Sequence, residues 1–97
     1  MKTKLLKIIN HYGINHQQRK LQEEVFELQE AIYEYEQRKE VSEEFCEKEH
    51  IEEEMADVCN LLMEICNFYK LSIRNITKTM EYKLERQIKR IGNEGNN

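Results

Sequence analysis

The sequence predicts an all-α fold, an antiparallel four-helix bundle, on three observations. There is no proline and there are only three glycines, two of them in the last six residues, so the strongest helix breakers are nearly missing. Apolar side chains recur every three or four residues along most of the chain, the period of a helix with one buried side. The length of 97 residues allows one domain, residues 1–97, and a domain this small removes only about 60–65% of its unfolded surface from water. Homo-oligomerisation, as a dimer or a tetramer, is therefore an expected source of further burial.

The first helix is expected over roughly residues 2–11, with Leu5, Leu6, Ile8 and Ile9 on its buried side. Tyr12-Gly13-Ile14-Asn15 reads as the following turn, with Gly13 closing the first helix and Asn15 capping the second. The second helix runs to about residue 39. Leu21, Val25, Leu28, Ile32 and Tyr35 form its apolar stripe and are expected in the core. Gln17, Lys20, Glu24, Glu27 and Ala31 form a second stripe, roughly 80° away at about 100° per residue, so Glu24 and Glu27 border the core. Glu23, Glu30 and Glu34 turn towards water.

Residues 38–44 lack an apolar pattern and make the connection, with Ser42 as the cap of the third helix, which continues to about Tyr69. From Val58 to Tyr69 that helix is apolar on nearly every side, which calls for burial all round and hence for another subunit. Asp57, Asn60, Glu64 and Asn67 form its one polar line. The fourth helix starts after Ser72, buries Ile73, Ile76, Met80, Leu84, Ile88 and Ile91, and ends near Gly92. Residues 93–97 are expected to fray.

The net charge is −4, from 15 basic and 19 acidic side chains, which disfavours nucleic acid as a partner. Charge is unevenly distributed: residues 40–54 hold eight glutamates and one lysine, and residues 78–90 hold five basic side chains and two glutamates. Cys46, Cys59 and Cys66 are an odd set without a paired spacing, which fits a reducing, cytoplasmic setting. The apolar stretch Leu5–Ile9 is too short for a secretory signal, and no run has the length of a membrane span.

Two acidic clusters carry the chemistry: Glu23-Glu24-Val25-Phe26-Glu27 and Glu54-Met55-Ala56-Asp57. Carboxylates three residues apart project from one side of a helix, and a short connection makes the two helices antiparallel neighbours. Like charges converging at the edge of a core repel and lose hydration, and a hard divalent cation with oxygen ligands relieves both, Mg²⁺ foremost and Mn²⁺ as an alternative. Di-iron chemistry would need two ExxH motifs, and only Glu47-Lys48-Glu49-His50 fits. His11, His16 and His50 have no metal-ligand spacing.

EExxE followed by ExxD on the next helix resembles the MazG-type all-α nucleoside triphosphate pyrophosphohydrolases. The segments that carry the resemblance are Gln17…Lys20-Leu21-Gln22-Glu23-Glu24-Val25-Phe26-Glu27-Leu28…Ala31 and Glu53-Glu54-Met55-Ala56-Asp57-Val58-Cys59-Asn60-Leu61. The resemblance implies Mg²⁺-dependent cleavage between the α- and β-phosphates of a nucleoside triphosphate. It implies Glu24, Glu27, Glu54 and Asp57 as metal ligands and Glu24 or Glu23 as the base. Lys83 and Arg86, with Arg90 beyond them, become clamps for the phosphates; Gln17, Lys20 and Asn60 become candidate substrate contacts, or structural hydrogen-bonding and ion-pairing groups. A non-catalytic helical oligomerisation or regulatory subunit is the alternative.

Overall fold

Helix-forming chemistry dominates the chain, and the computed structural model, which describes residues 1–38 and 48–95, consists of four α-helices. These are α1 (Lys2–Tyr12), α2 (Ile14–Arg38), α3 (Lys48–Tyr69) and α4 (Ile73–Gly95). None of the described helices is long and apolar enough to cross a membrane. The expected connection beyond Arg38, its Ser42 cap, Cys46 and the last two residues lie outside the described residues.

The helix ends follow from local chemistry. Gly13 separates α1 from α2 with φ 84° and ψ 158°, a conformation closed to side chains with a Cβ except at a cost in strain. Its N–H bonds the Ile9 carbonyl at 2.8 Å and its own carbonyl accepts from the Gln17 N–H at 3.1 Å. Gly13 thus ends one helix and opens the next, and Asn15, expected as the cap, lies inside the first turn of α2. At the end of α3, Lys70 takes φ 55°, its N–H bonds the Asn67 carbonyl, and the Leu71 N–H bonds the Cys66 carbonyl at 2.9 Å. This pair of bonds is the Schellman closure, formed here on a lysine where glycine is usual. Ser72 Oγ accepts the Asn75 N–H at 3.1 Å and caps α4 as expected. Gly92 does not terminate α4, which continues to Gly95; glycine costs a helix only about 1 kcal/mol when no left-handed residue is required.

α2 and α3 form the main antiparallel pair, and α1 lies chiefly against α3 while also touching α2. Among the described residues the buried apolar side chains are Leu5 and Ile9 of α1, Ala31 of α2 and Leu61 of α3. Ile8, expected on the buried side of α1, is exposed. On α2 the expected assignment is inverted. The line that meets α3 contains buried Gln17, Glu24 and Ala31, whereas Val25 and Ile32 of the apolar stripe are exposed and Leu21, Leu28 and Tyr35 are half-buried. Small Ala31 lets the helices approach, and the polar groups on this line find partners across the seam or along α2, as set out below.

α4 differs most from expectation. It does not pack along any of the other three helices and buries no residue. Its apolar stripe is exposed throughout, up to 68% at Ile88. The outer side of α3 is likewise uncovered at Leu62, Phe68 and Tyr69. A strong helical period determines which side chains share a face; it does not supply a face to pack against within the same chain.

Candidate functional site

The antiparallel pairing of α2 with α3 brings the two acidic clusters together. One carboxylate oxygen from each of Glu24, Glu27 and Glu54 lies within 4.8 Å of the others. Glu24 and Glu27 are one turn apart on α2, and Glu54 reaches them from α3. Glu24 is only 7% exposed. Its Oε2 and the Oε2 of Glu54 are buried without a hydrogen-bond partner, a condition that costs free energy in a protein interior.

Electrostatics registers the crowding. Glu27 is raised above its ordinary value of 4.5, first because its protonated form shares a hydrogen bond with Glu24 and then because of the Glu24 charge. Glu54 is raised by desolvation first, then by the charges of Glu24 and Asp57. Both directions show that the ionised form is disfavoured here, by the shared hydrogen bond and like charge at Glu27 and by lost hydration and like charge at Glu54. Lys20 supplies compensating positive charge. Its Nζ lies 3.3 Å from Glu24 Oε1 and 3.6 Å from Glu23 Oε2, and these carboxylates raise the Lys20 ammonium in turn, Glu24 contributing most.

The remaining sequence-predicted residues divide. Asp57 is exposed and is not one of the three converging acids; it sits one turn beyond Glu54 with a shorter side chain, yet close enough for Glu54 to sense its charge. Glu23 is exposed beside Lys20, and Asn60 is exposed on α3. Gln17 is 4% exposed, and both ends of its amide are engaged. Its Nε2 donates to Glu64 Oε1 at 2.7 Å. Its Oε1 lies 2.7 Å from His16 Nδ1, and because an amide oxygen only accepts, the His16 proton belongs on Nδ1. Lys83 and Arg86 are exposed on α4, which does not pack along α2 or α3; the Arg86 guanidinium lies 5.9 Å from the Tyr82 ring centroid.

Glu64, 3% exposed, is the polar group that sequence reasoning left on a line without a role. A signal for it existed. Gln17 precedes Glu27 by as many residues as Glu64 follows Glu54, so in an antiparallel pair the register that joins the acids also joins Gln17 to Glu64.

Chemically, the cluster offers hard oxygen donors from two helices, two of them without hydrogen-bond partners, at an edge open to solvent through half-exposed Lys20. Such a donor set suits Mg²⁺ or Mn²⁺. No protein-family model, no curated protein and no solved structure matches this chain.

Proposed function

We propose that the protein is a Mg²⁺-dependent nucleoside triphosphate pyrophosphohydrolase that works as a homo-oligomer. The observation that carries the proposal is the convergence of Glu24, Glu27 and Glu54 with two buried, partnerless carboxylate oxygens. The order of EExxE and ExxD on successive helices, which resembles the MazG-type enzymes, adds the reaction class.

In this reading Glu24, Glu27 and Glu54 would hold the ion, with Asp57 as the fourth acid beside them. When bound, the ion neutralises phosphate oxygens and lowers the cost of generating a nucleophilic hydroxide. A glutamate beside it, Glu24 or Glu23, takes the proton of the attacking water. Water adds at the α-phosphorus, the bond to the bridging oxygen of the β-phosphate breaks, and the products are a nucleoside monophosphate and pyrophosphate. Lys83 and Arg86 clamp the phosphates from the α4 of a second copy, since α4 does not pack along the acid-bearing helices of its own chain. Covering the exposed half of each large apolar residue on α4 and on the outer faces of α2 and α3 contributes about 1 kcal/mol per residue, and this supports the assembly.

The same uncovered faces favour a second reading, a non-catalytic oligomerisation or regulatory subunit. One experiment separates the two: a panel of ribo- and deoxynucleoside triphosphates is incubated with Mg²⁺ and pyrophosphate release is measured, with and without chelator. Release that chelator abolishes is expected, and no release from any member refutes the enzymatic reading. Glu24→Gln and Asp57→Asn should each lower turnover by about 10²–10⁴-fold with helical circular dichroism intact; activity retained in both refutes the assigned site.

A further inference from the structure

Lys20 is placed where a bound cation would also be drawn. It shares the inner line of α2 with Glu24 and Glu27, one and two turns away. Its ammonium bridges Glu24 Oε1 at 3.3 Å and Glu23 Oε2 at 3.6 Å. The bridge satisfies one oxygen of Glu24 and leaves Glu24 Oε2 and Glu54 Oε2 without partners. Lys20 thus brings one positive charge to three converging carboxylates and answers only part of their demand, with the charge of His50 acting more weakly on Glu54. The two groups also differ in mobility: the Glu24 carboxylate is buried, whereas the Lys20 side chain is nearly half exposed and ends a flexible four-carbon stem.

We propose that Lys20 is a tethered counter-ion that gives up Glu24 when a divalent cation enters the cluster. The inference rests on the reading of these glutamates as a metal site, and it concerns what this chain does before the ion arrives. Without the ion, Lys20 limits repulsion across the α2–α3 seam and keeps the helices paired. With the ion, two cations cannot share Glu24 at contact distance without strong repulsion, so the ammonium swings out to solvent. Lys20 thus preserves the empty fold and weakens metal binding by competition. The chain would hold Mg²⁺ reversibly, and the site would not collapse when the ion leaves.

Mn²⁺ alone is the probe, with the electron paramagnetic resonance signal of free aqueous Mn²⁺ as the readout on chelator-treated protein. Wild type should bind, and Glu24→Gln should lose binding. Lys20→Met, which keeps the stem and removes the charge, should bind about tenfold tighter, and Lys20→Arg should stay near wild type. In the absence of metal Lys20→Met should melt below wild type, and saturating Mn²⁺ should remove that difference. Equal or weaker Mn²⁺ affinity in Lys20→Met overturns the exchange while wild-type binding, lost in Glu24→Gln, leaves the metal site standing. Absence of Mn²⁺ binding by wild type overturns the metal site and this inference with it.

Discussion

The bond between Gln17 and Glu64 allows a sharp test of how the helix pair is held. Gln17 Nε2 donates to Glu64 Oε1 at 2.7 Å, and the two residues are 4% and 3% exposed. Water therefore cannot replace either partner. Gln17→Leu leaves a buried carboxylate without its donor, which costs about 2–4 kcal/mol. Glu64→Leu leaves a buried amide N–H without an acceptor, which costs about 1–3 kcal/mol. The double variant replaces the pair with two apolar side chains of similar size and should differ from wild type by only about 0–1 kcal/mol. His16 loses its acceptor in Gln17→Leu, but it is exposed and water substitutes. The coupling between the two substitutions should thus be about 2 kcal/mol or more, against roughly 0.5 kcal/mol for independent sites. Urea unfolding followed by circular dichroism at 222 nm, at one fixed protein concentration because the proposed assembly would make stability concentration-dependent, measures the cycle. With a slope near 1–1.5 kcal/mol per molar urea, the single variants move the midpoint by about 0.7–4 M. Additive single-variant losses would refute the claim that Gln17 and Glu64 are coupled across a buried seam.

Three further outcomes follow from the same geometry. Glu27 and Glu54 are raised above 4.5 in the fold, so folding takes up protons at these sites; their contribution is fully present below the unfolded value and is lost as pH rises through the folded values. The stability gained by Glu54→Gln over wild type, measured by thermal melting in chelator, should grow from about pH 4 to pH 7 and vanish in saturating Mg²⁺; a pH-independent difference refutes the crowding. Gly13→Ala forces a Cβ onto φ 84° and should cost about 1–3 kcal/mol by urea unfolding, although the space around it is open; a neutral result would mean the turn has another conformation. Ile76→Asp together with Ile88→Asp should convert the proposed homo-oligomer to monomer by sedimentation velocity at micromolar concentration, and an unchanged sedimentation coefficient refutes α4 as its interface.

Much of this protein is legible in its sequence because helix formation is local. The near absence of proline and glycine, the Ser72 cap and the turn at Gly13 concern neighbours within a few residues, and all three reappear in the structure. The spacing also put Glu24, Glu27 and Glu54 on facing helix edges, because the helical period and an antiparallel connection depend on few choices, but Asp57, expected to converge with them, stays exposed outside the group. Three features required the tertiary structure. Which line of α2 meets α3 was one: hydropathy ranks the Leu21–Val25–Leu28–Ile32 line first for burial, but the line through Gln17, Glu24 and Ala31 is the one that packs. The Gln17–Glu64 bond was another, since its value depends on the register of two helices and not on either alone. The third was α4, whose apolar stripe was expected in the core and instead lies exposed. Hydrophobicity states that a face favours leaving water; only the arrangement of the other helices decides whether its own chain has room to cover it.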